Sequence, residues 1–170
     1  VNNGSPLTNS AYNQISNIDI SIQIVNNPKA SYASGVNKGV RATDSEFVIV
    51  SNNDVEWIDN HSIVPALLQL SRNQVGIVGP QQVYKDGKWQ RSYDRVPSVL
   101  SALESVLLID TLRNRIMAHL FKQDIYWIIN PEYIDGAFMC IDTECVESVG
   151  GFNEQFDFYG EDAAFCQDAR

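Results

Sequence analysis

Three acidic residues stand where carboxylate chemistry could occur. Asp54 follows the apolar run Phe47-Val48-Ile49-Val50 and the small polar residues Ser51-Asn52-Asn53. More than a hundred residues later, Glu161 and Asp162 adjoin one another behind the glycine and aromatic stretch GGFNEQFDFYG. Each feature has a plain structural reading. Asn and Asp side chains bond their own backbone and mark turns, and on its own stretch Asp54 is better read as a turn residue. Adjacent acids at a helix start answer the helix dipole. A glycosidase pair is a poor fit, since such carboxylates flank the scissile bond several ångströms apart and come from different elements. Glycosyl transfer from a sugar nucleotide asks for other parts, namely a cation bridging a leaving diphosphate and one carboxylate to deprotonate the attacking hydroxyl.

The elements that would carry these residues follow from the pattern. The run ending at Val50 reads as a strand buried on both faces, as in a parallel sheet, with Asp54 just past its carboxyl end, where open α/β sheets bind ligands. Ile18 to Val25 alternates as a half-exposed strand does, and Asn26-Asn27-Pro28 ends it. Thr8 or Ser10 caps a short helix through Ile15, and Asp59 or Asn60 caps one carrying Ile63, Leu67 and Leu70. Ser31 to Ala42 holds Gly35 and Gly39, so packing or a ligand must keep its backbone close to something. Val75 to Pro80 is another short buried strand, and Asp86-Gly87 marks a hairpin. Ser98 to Phe121 places Leu100, Leu103, Leu107, Leu112, Ile116 and Leu120 roughly on one face of a single helix. That helix faces the core or a partner; an interfacial reading, suggested by Arg113, Arg115 and Lys122, is diluted by Glu104 and Asp110. Ala137 to Ile141 is a strand, Asp142 to Val149 a helix stopped by Gly150-Gly151, and Glu161 to Arg170 a helix. Helices alternating with strands indicate an α/β sheet.

Bulk properties narrow the partners. With 170 residues, 44% of them hydrophobic, the chain suits one domain with a sizeable core. Its net charge of −9 would repel a nucleic-acid backbone, so no nucleic-acid partner is expected. Cys140, Cys145 and Cys166 form no CxxC pair and read as reduced thiols of a cytoplasmic protein. His61 and His119 are isolated and receive no role.

Taken in order, the segments resemble the inverting family-2 glycosyltransferases of GT-A fold, particularly their rhamnosyltransferase-like bacterial members. VNNGS looks like the family's V-D-N-G-S strand end, NNPKASYASGVNKGV like its N-x-G-F-A-x-G-x-N-x-G segment, and SNNDVE like a variant of its DxD motif. GAFMCIDTECVESVGGFNEQFDFYGEDAAFC looks like the family's acceptor-side signature, and this match is the most specific. The resemblance implies a mixed GT-A-type sheet flanked by helices over residues 1–170. It also implies a metal-dependent transfer from a nucleotide-diphosphate sugar to a saccharide or lipid-linked acceptor in cell-surface polysaccharide or glycolipid synthesis. Asp54 would hold Mg2+ or Mn2+, with Asn52 at the first DxD position, and Asp162 would be the general base. Asn2, Asn37 and Lys38 fall where the family approaches the nucleotide. Gly136, Gly151, Phe152 and Glu161 fall on the acceptor side. Work at the inner face of the membrane, with peripheral membrane contact, is compatible with such acceptors.

Two residues depart from the pattern: Asn2 replaces the usual base-contacting aspartate, and Ala164 replaces the second acid after Glu161-Asp162. The family's first strand, its nucleotide loop and most of its second strand have no counterpart in the 170 residues. The chain is accordingly expected to be a partial domain that binds sugar nucleotide weakly. It should re-pair its strands, or use a second copy as a homo-oligomer, to cover the edge along Phe47 to Val50. Two other readings stand beside the enzyme: a non-catalytic fragment or interaction module of the same fold, and a nucleotidyltransferase on a similar sheet.

Overall fold

In chain order the computed structural model runs β1 (Asn2–Asn3), α1 (Asn9–Ser16), β2 (Asn26–Asn27), α2 (Tyr32–Val40), β3 (Phe47–Ser51), α3 (Ile63–Leu70) and β4 (Ile77–Val78). It continues through β5 (Gln82–Val83), β6 (Trp89–Gln90), β7 (Tyr93–Asp94), α4 (Val99–Val106), α5 (Ile109–Lys122), β8 (Tyr133–Ile134), β9 (Phe138–Asp142), α6 (Thr143–Val149) and α7 (Glu161–Asp168). The structure describes residues 1–4, 7–56, 58, 63–72, 75–96, 98–122, 128–156 and 159–170. The helix cap expected at Asp59 or Asn60 lies outside these residues.

The apolar run Phe138-Met139-Cys140-Ile141 is the centre of the fold. All four side chains are buried, and β9 lies between β3 and β4 in a three-stranded antiparallel sheet. Because side chains alternate across a strand, Met139 and Ile141 meet Ala33 and Val36 of α2, Val146 of α6 and Phe165 of α7 on one face. Phe138 and Cys140 meet Ala66 and Leu70 of α3 on the other. The sheet is thus sandwiched by helices, the mixed α/β arrangement the alternation of elements predicts. Separate two-stranded pairs join β1 to β2 in parallel, and β5 to β6 and β7 to β8 antiparallel.

Local chemistry explains the helix ends. Thr8 Oγ1 accepts from Ala11 N–H at 3.2 Å and Ser31 Oγ from Ser34 N–H at 3.3 Å, each satisfying a backbone donor of the first turn. Asp142 caps α6 in the same way, and Gly150 ends it in the left-handed region at φ 82°. The two glycines of α2 let its backbone approach β1: a Cβ on Gly39 would meet Val1 Cγ2 at 3.0 Å.

Several expectations are corrected. β3 is antiparallel to β9 and only half-buried, because its side chains reach both helical layers but no described strand pairs with one long edge. Glu46 and Asn52 bond to Thr143 and Ala137 across the pairing, so the alternation of an antiparallel ladder turns the N–H and C=O groups of Phe47, Ile49 and Ser51 to the outer edge. No described strand covers that edge, so the re-pairing within the chain is not seen. The alternating segment Ile18 to Val25 forms no strand, and the ladder is made instead by Asn26–Asn27, the residues expected to end it; Ile18, Ile20 and Ile22 are exposed, since no described strand lies beside them. The single helix expected over Ser98 to Phe121 is broken between α4 and α5, where Leu108 takes φ 59°, and α5 buries none of its described residues.

β9 should therefore dominate stability. Met139→Ala or Ile141→Ala should each cost about 2–5 kcal/mol in urea unfolding followed by tryptophan fluorescence. Ile49→Ala, on the half-exposed β3, should cost about 1 kcal/mol or less. Equal losses at the three positions would place the centre elsewhere.

Candidate active site

The three residues Asp135-Gly136-Ala137, which lead into β9, gather four distant segments. Asp135 N–H donates to Ser92 O at 3.0 Å, and Asn52 N–H, just past β3, donates to Ala137 O at 2.9 Å. Gly136 N–H donates to Asp162 Oδ2 at 2.9 Å, and Tyr32 Oη of α2 donates to Gly136 O at 2.5 Å. This crowding explains the glycine: a Cβ on Gly136 would lie 2.7 Å from Tyr32 Oη and 3.3 Å from Asp162 Cβ. The end of β3 and the start of α7 are thereby fixed at the same end of the sheet. Asp54, two residues past Asn52, is on the loop leaving that end.

Asp162 also accepts from Ala163 N–H through Oδ1 at 2.8 Å, so its carboxylate is anchored by two backbone donors. Each carboxylate oxygen has a further lone pair, which leaves capacity to accept a proton or a hydroxyl donor. Its neighbour Glu161 is 8% exposed, and Oε2 is buried without a hydrogen-bond partner among the described residues. A buried carboxylate oxygen without a donor is costly and marks a place where a hydroxyl would be welcome. Burial, and then the carboxylates of Asp162 and Glu161, push the Tyr32 hydroxyl far above its ordinary value, so it stays protonated as the donor to Gly136. Asp135 is also held above the usual carboxylate range, first by burial and then by Asp162 and Asp94, with Arg91 opposing. Arg91 is ion-paired to Asp94 and bonds Tyr93 O through Nε at 3.0 Å.

The Gly150-Gly151-Phe152 loop is locked to α2. Asn37, which is buried, donates through Nδ2 to Phe152 O at 2.8 Å and to Glu154 Oε1 at 3.0 Å, and its Oδ1 accepts from Phe152 N–H at 2.8 Å. Lys29 closes the loop from outside with a 2.8 Å ion pair to Glu154; its hydrogen bond, followed by that of Asn37, holds the Glu154 carboxyl low. Phe152 stacks on Phe165 with ring centroids 4.1 Å apart and meets Tyr32 edge-on at 6.0 Å. Gly151, at φ 89°, leaves room for Asn37 Oδ1, which a Cβ would approach to 2.6 Å.

The residues singled out from the sequence therefore fall into three groups. Gly136, Glu161 and Asp162 converge directly, and Asn52 joins them through Ala137. Asn37, Gly151 and Phe152 form the buried lock behind α7. Asn2 and Lys38 sit at the β1–β2 end: Asn2 Nδ2 bonds Asn26 Oδ1 at 3.0 Å and Lys38 Nζ bonds Asn26 O at 3.3 Å. Asp54 is exposed, and no group of three or more His, Cys, Asp or Glu side chains suited to a metal occurs among the described residues. A hard cation that takes most of its oxygens from diphosphate and water needs only one such carboxylate, so Asp54 fits that limited part. Sequence reasoning missed Tyr32 and Asp135. Tyr32 lies in the glycine-containing segment Ser31 to Ala42 and Asp135 immediately before Gly136, and neither position by itself signals chemistry. The proximity to Asp162 that gives both their character arises only in the folded chain.

The fold is an α/β one in which a strand end and a helix start bring Asn52 and the adjacent carboxylates Glu161 and Asp162 to one end of an antiparallel sheet, where a polar ligand would find partners. The family then follows: the model of glycosyl transferase family 2 matches residues 1–139, and the chain belongs to that family. It is thus a glycosyltransferase, with a nucleotide-sugar donor and an acceptor as its substrates. Comparison with curated proteins and with solved structures yields no match. Asp162 lies beyond the matched residues and is tied to them by the Gly136 hydrogen bond.

Two outcomes test this geometry. Since its surroundings disfavour the ionised form, Asp135 lowers stability above the ordinary carboxylate range and is neutral in both folded and unfolded chains below it. Asp135→Asn should raise Tm by about 2 °C at pH 7, and the gain should disappear as the pH falls toward 4; a gain that persists at low pH would mean the charge is not the cause. Gly150→Ala, with open space around it, should cost about 1 kcal/mol for its φ alone. Gly151→Ala should cost at least about 1 kcal/mol more, because it also displaces Asn37; chemical denaturation of the two variants measures the difference.

Proposed function

We propose that this glycosyltransferase inverts the transferred sugar, with Asp162 as general base and Asp54 as the carboxylate for a divalent cation, Mg2+ or Mn2+. The observation that carries the reading is the Gly136 N–H bond to Asp162, which puts a doubly anchored carboxylate at the sheet end from which the Asp54 loop leaves. In the reaction, the acceptor hydroxyl gives its proton to Asp162 as its oxygen bonds to the anomeric carbon. The bond from that carbon to the diphosphate oxygen breaks on the opposite side, and the nucleoside diphosphate leaves with the electron pair. A bound cation would neutralise charge on that leaving group.

The other residues take supporting parts. The unpartnered Oε2 of Glu161 is suited to accept a hydrogen bond from an acceptor hydroxyl, next to the base. Gly136 keeps that space open, while Asn37 holds Gly151 and Phe152 behind α7 and so acts on position rather than on the nucleotide. Asn2, Lys38 and Asn52 are the residues offered to the donor nucleotide. The sequence motifs resemble those of rhamnosyltransferase-like enzymes, so the products would be cell-surface polysaccharide or glycolipid.

Asp162→Asn should lower kcat by about 10²–10⁴ with the fold unchanged by circular dichroism. Asp54→Ala should remove the stimulation by added Mn2+. The product formed by the unaltered protein should have the opposite anomeric configuration to its donor by proton NMR. Retention of configuration, or full activity in Asp162→Asn, would defeat the mechanism, whereas no transfer by the unaltered protein would favour a non-catalytic module of the same fold.

A further inference from the structure

Six apolar side chains of α4, the turn and α5 face outward, while Met117, Leu120 and Phe121 on the other side of α5 are half-buried. Leu103, Val106, Leu108, Ile109, Leu112 and Ile116 are each between 46% and 78% exposed, and they follow one another along α4, the turn and the first half of α5. Residues three and four apart are neighbours on a helix, so Ile109, Leu112 and Ile116 form one stripe on α5. Arg115, His119 and Lys122 form a second stripe by the same spacing, and Arg115 lies beside Leu112 while His119 lies beside Ile116. Arg113 is already ion-paired to Asp110 and Glu104, and Arg95 to Glu104, whereas Arg115 and Lys122 make no ion pair with any described residue.

Charge says what kind of surface this ridge fits. Residues 95–122 contain four cations, Arg95, Arg113, Arg115 and Lys122, against two acids, Glu104 and Asp110, a net of +2 in a chain of net −9. An apolar stripe flanked by cations on an otherwise acidic protein matches the boundary of an anionic bilayer, where the apolar side chains enter the acyl region and the cations meet the headgroups. A symmetric contact between two copies would instead bring the basic rows of both toward one another. No helix of the described residues is long and apolar enough to cross a membrane, so the contact would be peripheral.

We propose that the α4–α5 ridge docks this protein on an anionic phospholipid surface. The inference does not rest on the transfer reaction. It corrects the core-facing reading of the helix and takes up the membrane contact that Arg113, Arg115 and Lys122 suggest in the sequence.

Vesicle flotation tests it directly, using phosphatidylcholine vesicles with and without 30% phosphatidylglycerol, about one third of the lipid being anionic in the second case. The protein should float with the anionic vesicles and much less with the neutral ones, and raised salt should weaken binding. Leu112→Glu with Ile116→Glu should abolish flotation. Arg115→Gln with Lys122→Gln should weaken the partition coefficient about five-fold for each cation removed. All four positions are at least partly exposed, and circular dichroism of each double variant verifies folding. No flotation of the unaltered protein, or flotation that neither pair of substitutions changes, would overturn the proposal. So would a dimer in solution that Leu112→Glu with Ile116→Glu dissolves while vesicles bind nothing, because the ridge would then be a contact between copies. Glycosyl transfer to a water-soluble acceptor in the absence of lipid reports separately on Asp162 and Asp54.

Discussion

The peptide groups of Asp135, Gly136 and Ala137 hold the functional end of this molecule together. Two of their hydrogen bonds matter most: Asn52 N–H to Ala137 O and Gly136 N–H to Asp162 Oδ2. They join a strand end, a strand start and a helix start that are more than a hundred residues apart at their extremes. Glycine is required at the middle position because Tyr32 Oη and Asp162 approach where a Cβ would stand. A bulkier residue would have to move α2 or α7, and with either of them the carboxylate.

Around that junction, rigidity and openness are divided between the two sides of α7. Behind it, Phe152 stacks on Phe165 and Asn37 satisfies both backbone groups of Phe152, so the helix rests on a packed, hydrogen-bonded layer. In front, Glu161 keeps an oxygen without a partner among the described residues, and Asp162 keeps lone pairs. A reacting group held by a stiff support can meet substrate with little reorganisation, which is where much of an enzyme's electrostatic advantage arises. Burial, and then the surplus of like charge, also has a cost, seen in the raised carboxyl of Asp135. Functional ends of folds commonly carry such destabilising groups.

Much of this was legible before any fold was known. The cap at Thr8 or Ser10, found at Thr8, the helix from Asp142, the hairpin at Asp86-Gly87, the glycine stop after Val149 and the buried strand at Ala137 to Ile141 depend on neighbouring residues alone, and each is found. Ile18 to Val25 failed because alternation describes what a strand would bury, while forming one needs a partner. The helix through Ser98 to Phe121 failed differently. Its apolar period is the same whether the stripe faces a core or lies open, so periodicity could not decide between them.

The amino-acid sequence by itself determined which residues are chemically able to act, in which local elements they sit, and, through the order of its motifs, the family of the chain. Those properties depend on spacing and side-chain chemistry within short windows. Tertiary structure alone decided that β3 runs antiparallel to β9, that Tyr32 and Asp135 belong with Asp162, that Asn37 supports a loop, and that the α4–α5 ridge is open. Each of these is a contact, or the lack of one, between segments far apart in the chain, and no local pattern encodes which distant surface will cover a given side chain.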